Sequence, residues 1–157
     1  MIKIAVFVDV QNIYYTTRDM YKRQFNYRKF WQEVSTEGEI VKATAYAIHR
    51  IDDKQHKFQT ALQHIGFEVK LKPFIQRSDG SAKGDWDVGI TIDVMETADQ
   101  VDKVILLSGD GDFDLLLKRI SQKFGVKTEV YGVNSLTSNS LIQAATKFNA
   151  IGTDLLL

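Results

Sequence analysis

Two short, continuously apolar runs each lead into an aspartate, and this pairing constrains the chain more than any other feature. Lys3-Ile4-Ala5-Val6-Phe7-Val8 runs into Asp9, and Val104-Ile105-Leu106-Leu107 runs into Ser108-Gly109-Asp110-Gly111-Asp112-Phe113. A strand-length apolar run without polar alternation suits a strand buried on both faces, as in a parallel sheet covered by helices. After the second run, two glycines let the backbone turn tightly, and Leu115-Leu116-Leu117 opens a helix.

The rest of the chain repeats this alternation. Residues 2–9 read as a strand, and Asn12 to about Tyr21 and Tyr27 to about Ser35 as helices. Ile40 to Ile48 follows as a strand, then a helix from Asp52 to about Ile65, capped by Asp52 and stopped by Gly66. Phe67 to Leu71 is a short strand, and residues 73–85, with Pro73, Gly80, Ser81 and Gly84, form a polar loop. Asp87 to Ala98 carries apolar residues at helical spacing. Strand 103–108, helix 113–123, strand 126–131, helix 138–145 and a short strand near 148–151 complete the series. Such β-α units imply an α/β fold, a three-layer α/β/α sandwich with a mainly parallel central sheet, in one domain over 1–157. Ligands of these sheets sit beyond the carboxyl ends of strands where the strand order reverses. The first strand and strand 103–108 are expected to flank that point.

Twenty basic residues balance twenty acidic ones, so bulk charge attracts neither nucleic acid nor membrane, and any such partner must be held by a local patch. The absence of cysteine excludes disulfides, thiolate metal sites and a cysteine nucleophile. No apolar stretch exceeds strand length, and no basic-then-apolar leader opens the chain, so a soluble, cytoplasmic protein without membrane association is expected. Homodimerisation suits a small neutral domain, although no interface is legible.

Asp9, Asp87, Asp110 and Asp112 are the candidate acids, with Asp85, Asp93 and Asp114 behind them. Asp9 and Asp110 end strands expected to be neighbours, whereas Asp112 and Asp87 open helices. Capping a helix, worth about 1 kcal/mol, is the plainer role for either of the latter alone. Gathered carboxylates raise one another's pKa, and a divalent cation resolves the conflict. Ligation by oxygen alone fits Mg2+ or Mn2+ better than zinc. Such a cation polarises a phosphoryl oxygen and lowers the pKa of water, which points to hydrolysis of a phosphodiester.

Other motifs fail on inspection. A calcium loop counted from Asp110 puts Leu115 and Ser121 where glycine and glutamate are required. A dinucleotide fingerprint from Gly109 meets Asp114 at its third glycine, and no Walker-type phosphate loop occurs. A haloacid-dehalogenase-type phosphatase would want an acid two positions after Asp9, where Gln11 stands. Phosphatase chemistry on a small phosphoester is therefore the weaker alternative.

Val8-Asp9-Val10-Gln11-Asn12, Lys83-Gly84-Asp85-Trp86-Asp87-Val88 with Asp93, and Ser108-Gly109-Asp110-Gly111-Asp112-Phe113 resemble, in order, the motifs of NYN domains of the LabA-like group. The resemblance covers nearly the whole chain. It implies the PIN-like, Rossmann-like fold, related to flap and other metal-dependent nucleases, and RNA cleavage with one or two metals. By position it makes Asp9, Asp87, Asp110 and Asp112 the catalytic and metal-binding set. Asn12 would orient Asp9 or touch substrate, and Ser108 would buttress the acidic turn beneath it. Asp93, nearly two helical turns after Asp87, is taken as a supporting acid. Because loop length before the helix varies in the group, Asp85 competes with Asp87 for the site. The apolar helical pattern starting just after Asp87 favours the latter.

Residues 14–31 interleave Tyr14, Tyr15, Tyr21, Phe25, Tyr27, Phe30 and Trp31 with Arg18, Lys22, Arg23, Arg28 and Lys29. Bases stack on aromatics and phosphates pair with cations, so the mixture suits single-stranded RNA. The plainer account makes Tyr14, Tyr21, Phe30 and Trp31 the apolar faces of two helices. Lys83, in the loop beside the acids, could meet a phosphate as a point charge, and Asn12, Lys83 and Ser108 make up the expected substrate-binding set. His49, His56 and His64 have no ligand spacing. The leading expectation is a ribonuclease using Mg2+ or Mn2+; a non-catalytic RNA-binding or regulatory module of the same fold is the alternative.

Overall fold

The computed structural model describes residues 1–49, 53–73, 75–76, 82–83 and 85–157. Its elements are β1 (Lys3–Asp9), α1 (Val10–Tyr21), α2 (Tyr27–Ser35), β2 (Glu39–His49), α3 (Asp53–Ile65), β3 (Glu68–Pro73), β4 (Ile75–Gln76) and β5 (Ala82–Lys83). They continue with α4 (Asp87–Thr97), β6 (Lys103–Leu107), α5 (Asp114–Phe124), β7 (Lys127–Gly132), α6 (Asn139–Ala144) and β8 (Lys147–Ala150). Six strands form one sheet in the order β3-β2-β1-β6-β7-β8, and every pair is parallel. The order reverses between β1 and β6, so the two strands that end in aspartates meet at the switch point, as expected.

The apolar runs explain the layers. Alternate residues of one strand face opposite ways. Ile4, Val6 and Val8 of β1, with Ile105 and Leu107 of β6, join a core closed by Ile13 of α1, Phe30 and Val34 of α2 and Leu62 of α3. Ala5, Phe7, Val104 and Leu106 face the other way, onto Ile90 and Val94 of α4, Leu117 and Ile120 of α5 and Leu141 of α6. Three helices therefore cover each face. Both central strands are sealed from water, which is why they show no alternation. No described helix is long and apolar enough to cross a membrane.

Two expectations are refined. The polar loop 73–85 contains paired backbone, because β4 and β5 form a small antiparallel ribbon (Ile75 with Lys83, Gln76 with Ala82). The proposed Asp52 cap and Arg77, Gly80, Ser81 and Gly84 of the loop lie outside the described residues. Of the aromatics in 14–31, Phe25, Tyr27 and Phe30 are buried, and Phe25 packs against the other two rings at centroid distances of 4.9 and 5.8 Å. The plainer account therefore holds for Phe30, with Tyr21 and Trp31 packed partly buried against the core, but not for Tyr14, which is exposed beside Tyr15.

At the amino end of the sheet, away from the aspartates, Lys103 Nζ lies 2.6 Å from Glu129 Oε2, and Asn149 donates to the other Glu129 oxygen at 3.0 Å. Glu129 is buried, so its removal leaves the largely buried Lys103 ammonium with only the looser Glu37 carboxylate at 3.7 Å. Glu129→Ala should cost about 3–5 kcal/mol, read as a lowered midpoint in urea unfolding. A loss below about 1 kcal/mol would mean that the pair behaves as a solvated surface bridge.

Candidate metal centre

Asp9 ends β1 and is the residue that caps α1, with its Oδ1 accepting the Asn12 backbone N–H at 3.5 Å. Strand and helix thus meet at this carboxylate. Its other oxygen accepts from Ser108 Oγ at 3.1 Å, and the same hydroxyl accepts the Asp110 N–H at 3.1 Å. One fully buried serine therefore holds the ends of β1 and β6 together. Ser108 thus supports the acids from behind, the buttressing role expected of it. Asn12 makes a second clamp, because its Oδ1 accepts the Gly109 N–H at 2.8 Å.

Gly109 has a steric reason to be glycine. A Cβ there would come within 2.6 Å of the Leu136 carbonyl oxygen, and backbone cannot give way as a side-chain tip could. Asp110 follows, and its Oδ1 accepts the Asp112 N–H at 2.9 Å, starting a short 3-10 turn over Gly111–Phe113 that leads into α5. That turn buries Phe113 and leaves Asp112 exposed.

Asp87 arrives from the opposite direction, in the first turn of α4. The preceding Trp86 is anchored by its ring N–H to the Ala47 carbonyl of β2 at 2.9 Å, and its ring packs on Tyr46 with centroids 5.3 Å apart. Lys72 Nζ donates to the Asp85 carbonyl at 3.1 Å and lies 4.6 Å from the Trp86 ring centroid. Nearly two turns into α4, Asp93 accepts from Tyr46 Oη and Lys70 Nζ, both at 2.7 Å. Burial works to raise the Asp93 pKa, but the bonds from Lys70 and Tyr46 outweigh it and leave Asp93 below its ordinary value. Asp93 therefore fastens α4 to β2 and β3. No motif points to Tyr46, because its partnership with Lys70 and Asp93 is made only by the fold, whereas Trp86 stands in the motif before α4 and anchors that helix start by packing.

The result is a convergence of Asp9, Asp87 and Asp110, each offering a carboxylate oxygen within 4.8 Å of the others. Asp112 stands outside this trio. Asp85 does too: it is exposed, and its Oδ1 accepts the Asp87 N–H at 3.2 Å, so it caps while Asp87 enters the site. Lys83 lies on β5, in the ribbon that leads into α4.

The electrostatics carry the cost of this crowding. Asp9 is pushed up to about 6, chiefly by burial; the Ser108 and Asn12 bonds oppose the rise, and the Asp110 and Asp85 charges add to it. Asp87 is pushed up to about 7 by burial first, then by the Asp110 charge and a hydrogen bond with that carboxyl, then by Asp85 and Asp9. Among the described residues no lysine or arginine forms an ion pair with any of the three. The nearby cations are engaged elsewhere, Lys70 by Asp93 and Lys72 by the Asp85 carbonyl. A cluster of hard oxygen donors with unbalanced negative charge fits a hard divalent cation such as Mg2+ or Mn2+. Coordination by Asp9, Asp87 and Asp110 is what these side chains can offer.

Three comparisons bear on this arrangement. The model of a family described as the NYN domain matches residues 3–152. The Low amplitude and bright protein LabA of Synechococcus elongatus (strain ATCC 33912 / PCC 7942 / FACHB-805) is 30% identical over 129 residues, which cover 77% of this chain and 69% of that protein. A crystal structure of a protein of unknown function from Vibrio parahaemolyticus RIMD 2210633 superposes with a TM-score of 0.95 at 57% identity, covering 99% of this chain and 96% of the other. Acinetobacter baumannii MurG matches with a TM-score of 0.52 at 11% identity over 98% of this chain and 44% of its own, a likeness of fold alone.

Proposed function

The chain belongs to the NYN domain family, and from that premise we propose that it is a metal-dependent ribonuclease that hydrolyses phosphodiester bonds of single-stranded RNA in the cytoplasm. The observation that carries the proposal is the meeting of Asp9, Asp87 and Asp110 at the switch point of the sheet. Asp9, Asp87 and Asp110 would hold Mg2+ or Mn2+. A divalent cation bound there supplies polarisation of a phosphoryl oxygen and a lowered pKa for water.

The protein contributes position and charge. Ser108 and Asn12 lock β1 to the β6 exit, so Asp9 and Asp110 keep a fixed separation. Trp86 and Asp93 hold α4 so that Asp87 points inward. Such preorganisation spares reorganisation during reaction. The proton that Asp87 retains near neutral pH has to leave its carboxyl before the trio can act as a full set of ligands. Asp112, exposed beside the trio, and Lys83 are candidates for substrate contacts rather than for the inner set.

The test uses a short, end-labelled single-stranded RNA. Wild-type protein should cut it in Mn2+ or Mg2+ and stop when EDTA is in excess. Cleavage that continues undiminished in EDTA would remove the cation from the reaction. Strand binding without any cleavage in either cation would favour the non-catalytic alternative.

A further inference from the structure

Beside the trio lies a cleft of about 570 Å3, walled by α1, the segment leading into α2, the end of β2 and the first turns of α3. Its volume falls within the roughly 300–1,000 Å3 of small-ligand sites. Its position relative to the acids follows from the chain: Gln11 lines it and lies in the first turn of the helix that Asp9 caps. Tyr27, also in its wall, feels the Asp9 charge, which together with burial raises its phenol far above the usual range.

The lining is chemically mixed in a particular way. Tyr14 and Tyr15 stand exposed among the lining residues, over a floor of Ile13, Phe25 and Tyr27 that the core already buries, and Phe58 lies partly buried beside them. Gln11 and Gln24 add amides, each able both to donate and to accept. Lys54 and Lys57 bring positive charge, and no acidic side chain is among the described lining residues. In a chain with no net charge, this cleft is a local cationic, aromatic site joined to the carboxylate cluster through Gln11, two residues after Asp9.

We propose that the cleft receives one unpaired nucleotide of the substrate strand, the neighbour of the phosphate presented to the trio. Its base lies against the aromatic surface, its edge meets the Gln11 and Gln24 amides, and its phosphate is met by Lys54 and Lys57. A base in a duplex cannot enter such a cleft, because its faces are stacked and its edge is paired; this makes the cleft a selector for single strands. The inference rests on the ribonuclease reading and adds the subsite that binds the strand.

The test separates the two. Binding of a fluorescein-labelled single-stranded RNA is followed by anisotropy at several salt concentrations, in EDTA and in Mn2+, and Mn2+ binding alone is followed by calorimetry. The full chain is compared with Tyr14→Ala and with the double variant Lys54→Ala/Lys57→Ala, all surface changes. The double variant should flatten the plot of log affinity against log salt by about 0.7, the value for one neutralised phosphate on a single strand. Tyr14→Ala should weaken binding about 5- to 100-fold, the range for losing one stacked base. Mn2+ binding should be unchanged in both variants. Wild-type affinity and salt slope in both would overturn the subsite and leave the ribonuclease reading standing. Failure of the wild type to bind RNA in either solution would overturn both.

Discussion

Asp110→Asn is expected to lower cation-dependent RNA cleavage by about two to three orders of magnitude, the loss typical when a preorganised site is stripped of one charge-stabilising group. The substitution is chosen for what it leaves alone. Asn keeps the carbonyl oxygen that accepts the Asp112 N–H, so the turn into α5 is retained. Its backbone N–H still donates to Ser108 Oγ, so the clamp between the two strand ends remains. What disappears is a negative charge, and with it the second-largest influence raising Asp87, which should fall back toward the ordinary carboxylate range. Three readouts move together: cleavage collapses, the Mn2+-induced rise in melting temperature disappears, and unfolding without added cation stays at or above the wild-type midpoint. Equal cleavage by variant and wild type would assign the activity to another site or another protein.

The parts of this site that the sequence disclosed are those written in contiguous residues. Val104 to Leu107 had to be a doubly buried strand, so the acids after it had to emerge at a sheet edge. The same reasoning places Asp9, and the β-α alternation makes the two strands neighbours at the switch point. The preference for Asp87 over Asp85 rests on a local signal, the apolar helical pattern that starts just after Asp87, and Asp87 is the one that joins the trio. Both stand at the start of one helix, and which faces the strands depends on how Trp86 docks on Ala47 and how Lys72 holds the Asp85 carbonyl, contacts from segments far away in sequence. Asp112, two residues after Asp110, lies outside the trio because the 3-10 turn aims Phe113 into the core and leaves Asp112 in solvent, a placement set by packing and not by spacing. Asp93 looked like a supporting acid, yet its partners Tyr46 and Lys70 lie on other strands, so its fastening role is visible only after folding. The cleft had no motif because four separated segments build it. Of the aromatics of 14–31, Tyr14 and Tyr15 face the cleft in solvent, Phe25 and Tyr27 belong to both its wall and the core, and Phe30 belongs to the core alone.

Asp9→Asn should make the cation-free protein more stable at pH 8 and abolish its stabilisation by Mn2+. The sign follows from proton binding. Below about pH 4 the Asp9 carboxyl is protonated in both folded and unfolded chains and contributes nothing to the difference. From the unfolded value of 3.8 up to the folded value of about 6, the unfolded chain has lost the proton and the folded chain still holds it, so stability falls as pH rises. Above about 6 both are ionised and the penalty is complete, on the order of 3 kcal/mol for a shift of about two units. Asp87 extends the decline toward pH 7, by less than its own shift suggests, because solvent partly screens it. Asn at position 9 cannot ionise, so the variant should match wild type near pH 4 and exceed it by up to about 3 kcal/mol at pH 8. Mn2+ at about one hundred times its dissociation constant adds roughly 2.7 kcal/mol to the wild type at pH 8 and little to the variant, which should narrow or reverse the order. Thermal or urea unfolding at pH 4 and pH 8, with EDTA and with Mn2+, reads all four corners of this scheme. If the variant is less stable than wild type at both pH values in EDTA, the Asp9 charge is not a cost of the fold, and the electrostatic case for a cation at the trio fails with it.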